Sequence, residues 1–203
     1  NGASPHHEAS TRVINAGEPV VVDIGGTTPA GYASDCTRMY CVGEPPADFT
    51  EYYSALQTAQ AAATAAVRPG VACEDIDAAA RTVLDDAGYG QWFVHRVGHG
   101  IGMDTHEHPY MVSGNSRALE PGMAFSIEPG VYLPGRHGAR IEDIVVCGEA
   151  HGRVKAMYDT LNSHKTYDEV GPATPVNLTG LDVAPGAGEH FYVLEDIARA
   201  RAV

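Results

Sequence analysis

The chain is poor in the features that mark several large protein classes. Its four cysteines, Cys36, Cys41, Cys73 and Cys147, form no CxxC pair and no zinc-finger spacing, which argues against a disulfide framework and for reduced cytosolic residues. No run approaches the roughly 20 apolar residues needed to cross a bilayer. The opening Asn1-Gly2-Ala3-Ser4-Pro5 has neither the charged nor the apolar part of a signal peptide. Basic residues are scarce: 13 Lys and Arg stand against 26 Asp and Glu, a formal charge of −13, which argues against a nucleic-acid partner or an anionic membrane. Internal repeats and low-complexity tracts are missing too. The expectation is a cytoplasmic protein with no nucleic acid and no membrane among its partners.

What is present suits a folded domain. The 203 residues, 44% of them apolar, can fill one sizeable core or belong to a larger protein, and they exclude a disordered segment. Residues 19–25 read as a buried strand and 31–42 as a second, after a breaker-rich loop. With the turn centred on Pro29, antiparallel pairing sets Asp23 opposite Asp35. Two carboxylates facing each other beside apolar neighbours repel unless protonated or bridged by a cation.

Helices are predicted over 48–67, where Tyr52, Leu56, Ala59, Ala63 and Ala66 recur at helical spacing, and over 74–87, with Ile76, Ala80, Val83 and Leu84. Residues 93–102 read as a strand entering a glycine-flanked turn. Residues 123–132 and 138–146 read as two further strands around a Pro/Gly loop. The pattern predicts an α+β fold, antiparallel strands presenting polar residues and helices covering one face. From 155 to 203 no period can be defended, apart from a short strand or helix at 190–202.

Asp23, Asp35, His99, Glu128 and Glu142 lie in five separate segments. Four carboxylates and one imidazole are the donor inventory of a two-metal centre, because cations about 3.5–4 Å apart need bridging carboxylates to offset their repulsion. The oxygen-rich set favours two Mn²⁺ or Co²⁺ ions, with Zn²⁺ and Fe²⁺ compatible. Singly, each signal is weak. His99 between Gly98 and Gly100 also suits a turn cap; Glu128, followed by Pro129-Gly130, suits a solvated face poorly. Strand alternation lets only one of Glu142 and Asp143 face inward. Joint occurrence strengthens all five.

At these residues the chain resembles the pita-bread metallopeptidases of the M24 type, and among them the Xaa-Pro dipeptidases (prolidases) and aminopeptidases P, which implies a catalytic domain over residues 1–154 and a pita-bread fold. The matching motifs are Val22-Asp23-Ile24-Gly25-Gly26, Gly31-Tyr32-Ala33-Ser34-Asp35-Cys36-Thr37-Arg38, His95-Arg96-Val97-Gly98-His99-Gly100-Ile101-Gly102, Ser126-Ile127-Glu128-Pro129-Gly130 and Arg140-Ile141-Glu142-Asp143. The resemblance implies hydrolysis of the bond preceding proline in a proline-containing peptide by a hydroxide activated between two metals. Asp23 would chelate one metal, Asp35 and Glu142 would bridge both, and His99 and Glu128 would complete the other. His106 would hydrogen-bond the substrate, His95 would lie on the leaving-group side, and His6 would sit near the scissile bond. Glu128 would also shuttle a proton. Arg140 points to the proline-directed branch, as an orienting or substrate-side cation, with a surface arginine as the plain alternative. A methionine aminopeptidase and a noncatalytic peptide-binding module are the competing functions.

The chain also departs from that family. The aspartate spacing of 12 is slightly longer than is common there, which a hairpin loop absorbs, and Met39 stands where threonine is frequent. The helices that usually open the catalytic domain are absent, so the fold reads as N-terminally truncated. Residues 155–203 match nothing in the family. An uncovered sheet face and the family's habit imply a homodimer or completion by another domain.

Overall fold

The valine run that begins at Pro19 forms the first strand of a long hairpin in the computed structural model of the protein. The structure describes residues 2–148, 152–160, 164–169 and 176–181. Strand β1 (Pro19–Thr27) pairs antiparallel with β2 (Ala33–Cys41), with Asp23 opposite Thr37 and Gly25 opposite Asp35. The expected pairing of Asp23 with Asp35 is therefore off by two positions. Gly31 takes a positive φ of 93°, and the amides of Gly31 and Thr28 bond to the carbonyls of Thr28 and Tyr32 at 2.9 and 2.8 Å. This turn is centred one residue beyond Pro29. A shift of two preserves the pleat, so the aspartates still share a face and sit diagonally.

Helix α1 (Ala47–Ala66) buries Phe49, Tyr52, Leu56, Ala59 and Ala63, and α2 (Cys73–Asp86) buries Cys73, Ile76, Asp77, Ala80 and Leu84. Those spacings of three and four make one stripe on each helix. Both stripes join a single core with Val97, Met111, Phe125, Ile127 and Val131. No described helix is long and apolar enough to cross a membrane.

The expected strand over 93–102 contracts to β3 (Gly98–Gly100). The carbonyls of Phe93 and His95 accept from the Arg81 guanidinium at 3.0 and 2.9 Å, and the Val97 amide donates to Asp77 Oδ1 at 2.9 Å. Residues 93–97 thus use backbone groups on α2 that a strand would use on its neighbour. Strand β4 (Glu107–Met111) was not anticipated. It contains Pro109, and it lies at the sheet edge, where proline is tolerated.

The two long strands expected over 123–132 and 138–146 are each broken, into β5 (Ala124–Ile127) and β6 (Gly130–Tyr132), then β7 (Gly138–Arg140) and β8 (Asp143–Val146). Ile127 pairs with Asp143 and Gly130 with Arg140, so both halves keep one register. The gap falls at Glu128-Pro129 and Ile141-Glu142. Pro129 has no N–H to continue the ladder, and the Glu142 amide bonds to the Thr37 carbonyl at 3.2 Å instead. The β1–β2 hairpin is thereby attached at the break. The main sheet has the order β4-β3-β5-β8.

Beyond it, β9 (Gly152–Asp159), β10 (Thr166–Tyr167) and β11 (Val176–Leu181) make a separate antiparallel sheet in the order β10-β9-β11. Part of the stretch without a readable period is therefore strand. The element expected at 190–202 lies outside the described residues.

Candidate metal centre

Each candidate side chain comes from a different element. Asp23 and Asp35 leave one face of the hairpin, His99 is the middle residue of β3, and Glu128 and Glu142 flank the break between the two halves of the ribbon. All five line one cavity of about 510 Å³, together with His6, His95, His106 and Arg140. Every residue singled out in the sequence is thus brought to one place. Donor atoms of Asp23, Asp35 and Glu142 lie within 4.8 Å of one another, as do those of His99, Glu128 and Glu142, and those of Asp35, His99 and His106. Two clusters that share Glu142 form the arrangement of a dinuclear centre.

The electrostatics of Glu142 test whether cations fit. Its side chain is 1% exposed. Oε2 accepts from Thr37 Oγ1 at 2.7 Å, whereas Oε1 is buried with no hydrogen-bond partner. Burial first, then the charges of Glu128, Asp35 and Asp23, push its carboxyl up to about 8 against the opposing hydrogen bond from Thr37. Burial and the charge of Asp23 raise Asp35 as well. A buried carboxylate oxygen without a donor, beside three more carboxylates, is satisfied by a divalent cation. The residues fit the pair of ions.

His99 is presented for ligation. Its Nδ1 lies 3.1 Å from the Gly100 carbonyl, which fixes Nδ1–H and turns Nε2 toward the acids, 3.1 Å from Glu128 Oε1 and 3.9 Å from Asp35 Oδ2. Burial lowers the pKa of His99, but the Glu128 hydrogen bond, the Gly100 carbonyl and nearby acidic charges outweigh it and the net shift is upward. Glu128 mirrors this: burial raises it, and His99, His95 and Arg140 bring it down overall. A proton at Nε2 here does what a cation does. The flanking glycines are explained by close approach, since a Cβ on Gly98 would meet the Ser126 carbonyl at 1.8 Å and one on Gly100 the His108 carbonyl at 2.6 Å. His99 is a strand residue and not a turn cap.

Alternation is resolved in favour of Glu142. Asp143 faces away, bonded to Arg38 at 2.5 Å and Gln60 at 3.0 Å. Arg140 is 4% exposed, so it is not a surface arginine. It contacts Asp23 through Nη2, donates Nε–H to Thr37 Oγ1 at 3.2 Å, and donates from Nη1 to Tyr132 Oη at 3.0 Å and the Pro5 carbonyl at 2.8 Å. His95 Nδ1 donates to the Arg96 carbonyl at 2.7 Å, and its Nε2 accepts from Tyr132 at 2.9 Å; burial lowers its pKa. The exposed His106 ring packs 4.1 Å from that of His99, and burial, then His99 and Arg96, lower its pKa.

Sequence reasoning overlooked three polar residues here: Thr37, Tyr132 and Ser126. The Ser126 hydroxyl accepts the His99 amide at 3.0 Å and donates to Glu128 Oε1 at 3.1 Å. Strand alternation from Glu128 would have pointed to Ser126 and Tyr132, since positions 126, 128 and 132 share a face.

Antiparallel sheets flanked by helices, with these acids gathered around one cavity, define a fold of the pita-bread type. The chain belongs to metallopeptidase family M24, whose model matches residues 1–149. It is 60% identical over 149 residues to the probable dipeptidase PepE of Mycobacterium tuberculosis, spanning 73% of this chain and 40% of that protein. It is 48% identical over 148 residues to the Xaa-Pro dipeptidase of Lactobacillus delbrueckii subsp. lactis, spanning 73% and 39%. The crystal structure of dipeptidase PepE from Mycobacterium ulcerans matches with a TM-score of 0.71 at 61% identity, over 72% of this chain and 40% of that one. The chain therefore spans about 40% of the length of these relatives.

Proposed function

We propose that the protein hydrolyses the peptide bond preceding proline in dipeptides or short peptides, with two divalent cations held by Asp23, Asp35, His99, Glu128 and Glu142. The observation that carries this reading is the partnerless buried Oε1 of Glu142 among three other carboxylates. Asp35 and Glu142 would bridge the ions, Asp23 would complete one site, and His99 and Glu128 the other. Mn²⁺ or Co²⁺ suits this oxygen-rich set best, with Zn²⁺ and Fe²⁺ compatible. When bound, the ions supply Lewis-acid activation of water and of the scissile carbonyl. Likeness to the Lactobacillus Xaa-Pro dipeptidase supports the preference for proline.

The chain's own residues supply the rest. The Ser126 hydroxyl donates to Glu128 Oε1, so Oε2 is the atom that would receive a proton and pass it to the departing proline nitrogen. A peptide nitrogen is expelled only when protonated, because the bare anion is too basic to leave, and the proline nitrogen then departs as a secondary amine. His106, at the cavity wall, donates a hydrogen bond to the scissile carbonyl oxygen as charge grows there. His95, held by Tyr132 and the Arg96 carbonyl, shapes the leaving-group side, and His6 closes the rim over the scissile bond. Arg140 orients Asp23 and lines the substrate side.

The domain over 1–154 carries this chemistry, and the working compartment is the cytoplasm. The outer face of β1 and β2 leaves Ile24 64% and Tyr40 61% exposed, which supports completion by another domain or a second copy; light scattering of the full chain distinguishes a dimer from a monomer. The test of function is metal analysis of fresh protein, then Mn²⁺-supplied assays of Ala-Pro, Ala-Pro-Ala and Met-Ala-Ala. Metal-dependent release from the proline peptides is expected. Faster turnover of Met-Ala-Ala would make it a methionine aminopeptidase, and no release from any would leave a peptide-binding module.

A further inference from the structure

The acids of the metal centre sit on two parts of the fold that share little backbone bonding. His99, Glu128 and Glu142 stand in or beside β3, β5 and β8, which neighbour one another in the main sheet, so its ladders fix their spacing. Asp23 and Asp35 stand on the β1–β2 hairpin, a two-stranded sheet by itself. Among the described residues one bridge, between Thr37 and Glu142, joins the hairpin to the break before β8, and near the hairpin turn the Ala33 amide donates to the Gly102 carbonyl at 2.8 Å. The cluster of Asp23, Asp35 and Glu142 spans that junction, whereas the cluster of His99, Glu128 and Glu142 does not.

Arg38 closes the junction from outside the cavity. It follows Thr37 on β2, so strand alternation turns it to the face opposite Asp35 and Thr37, and it is not among the residues that line the cavity. Its Nη1 donates to the carbonyls of both Thr37 and Glu142, at 2.9 and 2.6 Å, and its Nη2 donates to Asp143 Oδ1 at 2.5 Å. Asp143 Oδ2 accepts in turn from Gln60 on α1 at 3.0 Å. One planar guanidinium therefore holds hairpin and main-sheet backbone at the two residues that make the bridge, and α1 steadies it through Asp143. The Arg38 side chain is 47% exposed, so this ion pair adds little to overall stability. Its consequence is geometric, because two cations about 3.5–4 Å apart tolerate little error in where their carboxylates stand.

We propose that Arg38 is a positioning residue of the metal centre: by clamping the hairpin to the main sheet it sets Asp23 and Asp35 at the distance from Glu142 that the hairpin-side ion needs. The ion on His99, Glu128 and Glu142 keeps those ligands without it, since all three stand on the main sheet. The assignment rests on the two-metal reading above.

The test is calorimetric titration of the metal-free full chain with Mn²⁺, in which the hairpin-side ion is identified as the one that Asp23→Asn weakens. In Arg38→Met the affinity for that ion should fall by about tenfold to a hundredfold, the usual effect of losing a group that orients a ligand, while the other ion binds as in the wild type. A lysine ammonium is a point charge that cannot reach both carbonyls and Asp143 at once, so Arg38→Lys should fall between the two. Unchanged affinity for both ions in Arg38→Met, or an equal loss at both, overturns the proposal. If circular dichroism shows Arg38→Met misfolded, Arg38→Lys decides by the same criteria: a loss confined to the hairpin-side ion supports the clamp, and no loss or an equal loss overturns it. A wild type that binds fewer than two ions overturns the two-metal reading and the clamp together, whereas a wild type that binds two, matched by Arg38→Met, overturns the clamp alone.

Discussion

Thr37 Oγ1 donates to Glu142 Oε2 at 2.7 Å while accepting the Nε–H of Arg140 at 3.2 Å. One buried hydroxyl therefore links a guanidinium to a carboxylate that the guanidinium does not itself touch. The same Arg140 meets Asp23 directly through Nη2. A single cation thus orients acids on β1 and in the break between β7 and β8, and it leaves Glu142 Oε1 turned into the cluster. Chains of hydrogen bonds of this kind strengthen one another in a low-dielectric interior.

Removing that hydroxyl should loosen the metal site more than the fold. Thr37→Val keeps the branched shape but offers Glu142 no donor and Arg140 no acceptor. Mn²⁺ affinity, read by calorimetric titration, should fall by about tenfold to a hundredfold, the range seen when an orienting partner of a ligand is lost. Thr37→Ser should restore most of it. Unchanged affinity in Thr37→Val would mean that packing alone aims Glu142.

The metal-free protein should lose stability as pH rises across the neutral range. Glu142 is pushed up to about 8 in the folded chain, whereas an unfolded glutamate titrates near 4.3 (about the model-peptide value). Between those values the folded state binds more protons than the unfolded one, so the stability slope with pH is negative. Thermal melts in chelator should show a falling Tm from about pH 5 to about pH 8. Glu142→Gln should flatten that slope and raise the metal-free Tm at the alkaline end, while turnover of Ala-Pro drops by at least about a hundredfold. A wild-type slope identical to that of Glu142→Gln would refute the elevated carboxyl.

Asp77 on α2 should prove a structural anchor for the residues that lead into the site. It is 1% exposed, accepts from Arg81 Nε at 2.9 Å, and accepts the Val97 amide at 2.9 Å. Asp77→Ala takes the carboxylate from Arg81 and leaves the Val97 amide only its 3.2 Å bond to the Met111 carbonyl, and denaturant unfolding should report a loss of about 2 kcal/mol. Arg81→Ala should cost less, because the Arg81 side chain is 33% exposed and water can replace part of what it gives. Equal stability of Asp77→Ala and wild type would show that the 93–97 segment is held by its own packing.

Both helices were legible along the chain because a buried stripe of small and apolar residues repeats within one turn, as Tyr52, Leu56, Ala59 and Ala63 do. The breaks in the long ribbon were not. Residues 123–132 carry the apolar content of one strand, and the interruption at Glu128-Pro129 follows from the missing proline N–H together with Thr37, which arrives from the distant hairpin to pair with Glu142. The hairpin register was off by two because the left-handed Gly31 shifts the turn, yet the shared face of Asp23 and Asp35 survived, since strand alternation repeats every two residues.

By itself the sequence determined the donor set, the element types and the enclosure of His99 by glycines, all of which depend on residue identity and short-range period. Tertiary structure decided which atoms meet. Thr37 and Glu142 are 105 positions apart and His95 and Tyr132 are 37 apart, so no local pattern encodes either contact. The unpaired Oε1 of Glu142 and the unpaired Nε of Arg96 likewise arise only after folding removes water from these groups, because an exposed carboxylate or guanidinium always has a solvent partner.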